Sequence, residues 1–411
     1  MPGVARFRDR TARVVLEEAA RTFAAVVLTG PRQSGKTTLV RELFGATHRY
    51  CSLDDPALLM RASADPSLVL QQFPPPVILD EIQYAPMLLP VVKREIDRRR
   101  AVKGQFVLTG SQVFPLMAGV SESLAGRAAI LSLLSLSLRE SVGLPDGERS
   151  WQDLLGTGAA PPRLTGAVRL SEQLLRGGYP EVALEPAMVP RLWHAAYVQT
   201  YLERDVRALR AVGDLGDFQR YLTVVASRTG GLMNLEELGR DLGLDGKTVR
   251  AWLAVLEASG QVLVLKPYHA NVGKRLVKRP KVYFLDSGTL AFLLGVDRPE
   301  LLLSGIAAGP MFESAVLGQL HRLLVHRGHL SRLYFWRTSA GHEVDFVLED
   351  GPTLIPIEAK LTTAPTPRDA SGIERFQALF GKRAGKGYVV CLCSERHALT
   401  RGVEAIPLGA F

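Results

Sequence analysis

Gly30-Pro-Arg-Gln-Ser-Gly-Lys-Thr37 is the stretch that decides the fold of this chain. It matches G-x-x-x-x-G-K-[ST], and its flanks have the order that pattern requires. Ala24-Ala-Val-Val-Leu-Thr29 is a short apolar, β-branched run that predicts a buried parallel strand, and Thr38-Leu-Val-Arg-Glu-Leu-Phe44 predicts a helix. Strand, loop and helix in that order aim successive backbone N–H groups and a positive helix N-terminus at one spot, which suits a polyphosphate. Gly30, Pro31, Arg32, Gln33, Ser34, Gly35 and Thr38 are the expected cradle. Lys36 is expected to reach the β- and γ-phosphates while the Thr37 hydroxyl holds Mg²⁺. The implied ligand is a nucleoside triphosphate with its metal.

Downstream, Pro76-Val-Ile-Leu-Asp-Glu81 predicts a strand ending in two carboxylates. In that pattern Asp80 orders water around Mg²⁺ and Glu81 polarises the attacking water. Gln105-Phe-Val-Leu-Thr-Gly-Ser111 repeats the shape of an apolar run with a polar tip. Thr109 or Ser111 then lies beside the γ-phosphate as a sensor of hydrolysis, or simply closes a turn. Residues 86–99 have helical spacing with a basic outer face. Alternating strands and helices over residues 20–140 predict a parallel, doubly wound α/β domain.

Four segments in order, Gly30–Thr37, Leu79–Gln83, Leu108–Ser111 and Ser123–Arg127, resemble a widespread prokaryotic family of AAA-type ATPases with a C-terminal domain of uncharacterised function, DUF4143. The resemblance implies ATP as the nucleotide and makes Arg127 a candidate arginine finger or sensor arginine; a surface ion pair is the other reading of Arg127. If Arg127 acts on a neighbour's nucleotide, a homo-oligomer such as a ring is expected.

Residues 146–166 are rich in Gly, Pro, Ala and Thr and predict a linker or lid entry. Arg176-Gly-Gly-Tyr-Pro-Glu181 matches a segment of the same family, as does an amphipathic helix expected over Trp193 to Leu209. Glu203, Arg204, Asp205 and Arg207 give that helix a charged face. Leu235 to Leu256 has the shape of a helix-turn-helix, the first helix ending at Gly243 and Asp245 capping the second. Lys247, Thr248 and Arg250 at the start of the second helix suit DNA groove or phosphate contact. The stretch Lys274-Arg-Leu-Val-Lys-Arg-Pro-Lys281 follows as a cationic wing, adding Lys274, Arg275, Lys278 and Arg279 as DNA candidates. A protein-contact role for the winged helix stays open.

In residues 305–411, Glu313 falls on a predicted helix, Asp345 on a strand, and Glu358 and Lys360 on the same face of the next strand. The order resembles the PD-(D/E)xK nuclease arrangement, in which carboxylates hold Mg²⁺ or Mn²⁺ and a lysine positions or deprotonates water. Glu313 is then an outer metal ligand. The same residues also fit an ion-pair face on a fold that no longer cuts. The expected organisation is a P-loop domain over 1–145, a helical lid and winged-helix region over 146–300, and a restriction-endonuclease-like α/β domain over 301–411.

Hydrophobic content of 47% with 22% charged residues supplies ample core for such domains. A net charge of +9 favours a polyanionic partner in addition to the nucleotide. No apolar run is long enough for a membrane helix, and the first ten residues lack an apolar signal core. Three cysteines, two of them in Cys391-x-Cys393, make neither a disulfide framework nor a zinc site, so a reduced cytoplasmic protein is expected. Two function classes remain: an ATPase acting on DNA, and an ATP-switched regulator or scaffold, of the defence or toxin–antitoxin kind, with an inactive nuclease-like domain. A nucleotide-stabilised fold without turnover has little need of Glu81.

Overall fold

The run before the phosphate loop forms β1 (Ala25–Thr29), buried at every residue, as are β3 (Val77–Asp80) and β4 (Phe106–Thr109). Continuous apolar strands of this kind need cover on both faces, which a parallel sheet wrapped in helices provides. With β2 (Arg49–Ser52) and β5 (Ala128–Ser132) they make an all-parallel sheet in the order β2-β3-β4-β1-β5. Val26, Leu28, Ile78 and Val107 point to one face, where α1 (Ala12–Thr22) and α2 (Lys36–Phe44) cover them. Ala25, Val27, Leu79 and Leu108 point to the other, against Val92 and Ile96 of the helix Leu89–Arg98. All five strands end at one edge, and β4 lies between β1 and β3. The strand carrying Thr109 therefore lies between the strand that leads into the phosphate loop and the strand that ends in Asp80.

The computed structural model describes residues 7–111, 120, 123–146, 164, 166–202, 215–268 and 279–410. The wing residues Lys274, Arg275 and Lys278, most of the expected linker, and the charged face at Glu203, Arg204, Asp205 and Arg207 lie outside them. The helix expected from Trp193 runs from Pro190 to Tyr197 and passes into a π-helical turn, Val198–Leu202.

The helix-turn-helix forms as its caps dictate. Asn234 caps Leu235–Leu242, Gly243 closes that helix at φ +68°, and the Asp245 carboxylate accepts the N–H groups of Lys247 and Thr248 to start Gly246–Ala258. Antiparallel β6 (Val262–Pro267) and β7 (Lys281–Phe284) follow.

These two strands are not a free wing. β6 pairs in parallel with β8 (Leu333–Arg337), and β9 (Glu343–Asp350), β10 (Thr353–Ala359), β11 (Gly387–Cys391), β12 (His397–Thr400) and β13 (Val403–Pro407) complete one eight-stranded mixed sheet. Phe218, Trp252 and Leu256 of the middle region share one apolar core with Phe335, Phe346 and Ile357 of the C-terminal region, and Leu138 of the first domain joins it. The expected division at residue 300 thus runs through a shared sheet and core, because strands on either side of it need each other's apolar faces.

Candidate functional site

The phosphate loop leaves β1 through Gly30 at φ +138°, where a Cβ would stand 2.2 Å from the Leu133 carbonyl oxygen. Gln33 and Gly35 also take positive φ, at +61° and +91°. Only a glycine tolerates the first of these geometries in this space. Lys36 is buried, and its ammonium donates to the carbonyls of Gly30 (3.0 Å) and Pro31 (2.7 Å), inside the cradle its own loop forms. Thr38 and Gln33 are exposed, Arg32 is half-buried, and Ser34 is fully buried.

Asp80 ends β3 beside the loop. Its carboxylate accepts from the Thr37 hydroxyl (2.9 Å), from the Tyr50 phenol (2.6 Å) and from the Thr109 hydroxyl. All three donors are neutral hydroxyls, and together they orient the buried carboxylate next to Thr37. That donor set fits Mg²⁺ held by Thr37 and Asp80, with a nucleotide cradled by the loop amides. Burial and the bond to Asp80 push the Tyr50 phenol up to about 12, so it stays a donor at neutral pH.

Glu81 follows in the left-handed region at φ +56°, unusual for a residue with a Cβ. Its backbone N–H donates to Thr109 Oγ1 (3.1 Å), and its carboxylate accepts from Ser111 Oγ (3.1 Å) and from the Gln83 amide. Thr109 thus bonds the Asp80 carboxylate and the Glu81 backbone at once, and Ser111 holds the Glu81 carboxylate. Sequence reasoning missed Tyr50 and gave Gln83 no role. Gln83 carried a signal, two residues beyond Glu81 in a motif; Tyr50 lies on a four-residue strand with no pattern of its own.

Arg127 forms the surface ion pair that was one of its two readings. It immediately precedes β5, whose first residue pairs with the first residue of β1, so Arg127 sits at the edge opposite the phosphate loop. Its guanidinium takes Asp97 instead, through bonds of 2.8 and 3.0 Å. A strand of five residues spans about 16 Å, beyond the reach of an arginine to its own chain's loop.

In the C-terminal region Asp345 on β9 and Glu358 on β10 come together, as the spacing predicts. Asp345 Oδ2 accepts the Ala359 N–H (2.9 Å), and Lys360 Nζ donates to Glu358 Oε2 (2.8 Å). Burial, then the neighbouring Asp345, pushes Glu358 well above the usual carboxylate range. With His342, Arg368 and Arg375 these residues line a cavity of about 470 Å³. Gly372 lets the helix Ser371–Phe380 approach, since a Cβ there would lie 2.7 Å from Glu358 Oε1.

Glu313 does not stand free as an outer metal ligand. Its carboxylate accepts from the Tyr283 phenol and pairs with Lys281 (3.2 Å), whose ammonium also meets Glu343 at 2.5 Å. Burial and Asp345 raise Glu313 to about 7. Lys281, expected as part of the exposed wing, is buried, because β7 faces this cluster. Among the described residues no group of three or more His, Cys, Asp and Glu side chains is arranged to hold a metal. The cations that meet these carboxylates are side chains, Lys360 on Glu358 and Lys281 on Glu313.

Of the DNA candidates, Lys247, Arg250 and Arg279 are exposed. Thr248 is not free for a groove: its hydroxyl donates to Asp245 at 2.5 Å as part of the helix cap. Among the described residues no helix is long and apolar enough to cross a membrane.

Family models match in the same order along the chain: an AAA domain over residues 22–142, a domain of unknown function (DUF8612) over 168–300, and a domain of unknown function (DUF4143) over 308–411. Among solved structures, the chain is similar to the Walker-type ATPase PABY2304 of Pyrococcus abyssi, at 15% identity over 71% of this chain and 98% of that one, with a TM-score of 0.41. It is also similar to the RuvB Holliday junction branch migration motor of Thermotoga maritima, at 18% identity over 62% of this chain and 88% of that one, with a TM-score of 0.30. Uncharacterized protein Rv2008c of Mycobacterium tuberculosis and uncharacterized protein Mb2031c of Mycobacterium bovis are each 34% identical over 367 residues, 87% of this chain and 75% of theirs. Identity held over that length places this chain in their family, and its own architecture is that of the AAA-type ATPases with a C-terminal DUF4143 domain.

Proposed function

We propose that this chain hydrolyses Mg-ATP and couples the cycle to binding or processing of duplex or branched DNA. The observation that carries the hydrolytic part is Glu81, held by Ser111, Gln83 and Thr109 one residue beyond Asp80. Two contacts on its carboxylate and one on its backbone favour a carboxylate fixed to orient and deprotonate water, an effect worth about 10²–10⁴-fold in rate. Lys36 balances phosphate charge, and Thr37 with Asp80 holds the metal, whose chemistry when bound is to neutralise charge building on the phosphates. Coupling to DNA draws on the exposed Lys247 and Arg250 at a helix start and on the net charge of +9. Arg127, far from its own loop, is suited to act on a neighbour's nucleotide in a homo-oligomer.

A second reading is favoured by Lys281: an ATP-switched regulator whose nuclease-like cluster binds without cutting. A lysine between Glu313 and Glu343 supplies internally the positive charge that a metal would bring. Incubation with Mn²⁺ and plasmid or branched DNA separates the two readings. Cleavage that Asp345→Ala and Lys360→Ala both abolish contradicts the second.

The primary test is ATP turnover by the wild type and by Lys36→Ala, each with and without duplex and branched DNA. Turnover by the wild type, lost in the variant and stimulated by DNA, is expected. Turnover that survives the substitution sinks the site, and indifference to every DNA sinks the coupling.

A further inference from the structure

The phosphate loop is held from beneath by a cation that belongs to no nucleotide motif. Arg10 is buried; it donates from Nη1 to the Ser34 carbonyl (2.9 Å) and from Nη2 to the Leu134 carbonyl (2.7 Å), and its Nε lies 3.2 Å from Glu140 Oε2. Glu140 is itself fully buried and also accepts the backbone N–H groups of Thr11 and Ser137, each at 2.8 Å. Its Oε1 lies 3.4 Å from His326 Nδ1, while His326 Nε2 lies 3.1 Å from the Leu134 amide. One neutral tautomer serves both contacts, Nδ1–H toward Glu140 and Nε2 accepting from Leu134. Leu134 is therefore gripped at its carbonyl by Arg10 and at its amide by His326.

His326 acts with its own helix, Ala308–Val325, which it ends. Gln319 Oε1 accepts the Leu138 N–H (2.9 Å), and Arg322 donates to Ser135 Oγ (2.8 Å) and to the Ser135 carbonyl (3.2 Å). Positions 319, 322 and 326 fall on one helical face, so the C-terminal helix docks turn by turn along residues 134–138. From the other side Gly260 lets the middle region close on the loop, since a Cβ there would lie 2.9 Å from Pro31 Cγ.

We propose that Arg10, Glu140 and His326 form a relay that couples the nucleotide state of the phosphate loop to the docking of the helix Ala308–Val325. The proposal rests on reading residues 30–38 as the nucleotide site. Ser34 cannot shift its carbonyl without breaking a bond to Arg10 or carrying the guanidinium with it. Arg10 cannot move away without leaving Glu140 with a buried charge short of its cation, a costly state. Glu140 in turn orients His326 and, through Leu134, the docked helix. All three lie outside residues 30–38 and act through Ser34 and Leu134, so they are positioning residues, and the coupling runs equally in both directions.

Hydrogen exchange of the full chain tests this, with nucleotide occupancy followed by a fluorescent ATP analogue. Saturating Mg-ATP slows amide exchange over residues 319–329 about fivefold or more in the wild type. His326→Leu, saturated with the same nucleotide, loses that response, and His326→Gln keeps it, since one amide can donate to Glu140 and accept from Leu134. Occupied wild type with unchanged exchange over 319–329 overturns the relay, as does a full response in His326→Leu. A wild type that binds no more nucleotide than Lys36→Ala overturns the site reading instead, and the relay falls with it.

Discussion

Glu81 stands in a left-handed backbone conformation with three polar groups fixed on it, while Asp80, one residue earlier, takes three hydroxyls. Neighbouring acids with such different partners are suited to different work, one to a metal and one to water. Tyr50 is the partner of Asp80 that orients it from the adjacent strand. Tyr50→Phe is expected to raise the Mg²⁺ concentration needed for half-maximal ATP turnover about tenfold, the usual cost of losing an outer partner of a metal ligand. An unchanged Mg²⁺ titration assigns Tyr50 to packing alone. Gly30→Ala is expected to fail more severely. Its Cβ would meet the Leu133 carbonyl oxygen at 2.2 Å with φ at +138°, so thermal denaturation should show a loss of about 1–3 kcal/mol together with lost nucleotide binding. Wild-type stability in that variant shows that the loop has room the geometry denies.

The nucleotide elements were legible in the sequence because each is local. An apolar run, a glycine loop and a helix follow one another without a break, and Asp80-Glu81 ends its own strand. The helix-turn-helix is legible for the same reason, its caps being Asn234, Gly243 and Asp245. Lys281 and Glu313 were not, because their relation is made by pairing β7 and packing a helix that starts 27 residues further on. A lysine ending a basic stretch reads as wing until the sheet turns it inward. The two readings of Arg127 stayed open for a related reason: a motif gives order along the chain but not which edge of the sheet a residue occupies. The exposed Lys247 gives the element its own test. Lys247→Ala is expected to weaken DNA binding with little dependence on sequence and to lower the salt slope by about one unit. An unchanged slope removes that helix from the DNA surface.

The whole molecule is one body at the points that matter. The sheet crosses from the winged helix into the C-terminal region, and the C-terminal helix docks on the first domain through Gln319, Arg322 and His326. This junction gives a pH dependence with a definite sign. Burial holds His326 below its ordinary value although Glu140 opposes this, with Arg10 and Arg322 adding to the depression and His321 nearby. Glu140 is held well below the carboxylate range by Arg10 and His326 in spite of its burial. Both folded-state values are depressed, so both contributions are present above the unfolded values and are lost as pH falls. The melting temperature of the wild type relative to His326→Gln should therefore fall from about pH 6.5 downward, a difference that isolates His326 from the raised Glu313 and Glu358, which act with opposite sign in that window. A melting-temperature difference between these two proteins that stays constant from pH 7 to 5 contradicts that account of the junction.

The proposed hydrolytic role of Glu81, activating water on a nucleotide held by residues 30–38, can be tested alone. Its most direct measurement is a paired one on Glu81→Gln and wild type: Mg-ATP affinity and single-turnover hydrolysis in the same preparation. Affinity within a few-fold of wild type and hydrolysis slower by about 10²-fold or more are expected. Hydrolysis at the wild-type rate by Glu81→Gln with nucleotide bound contradicts that role.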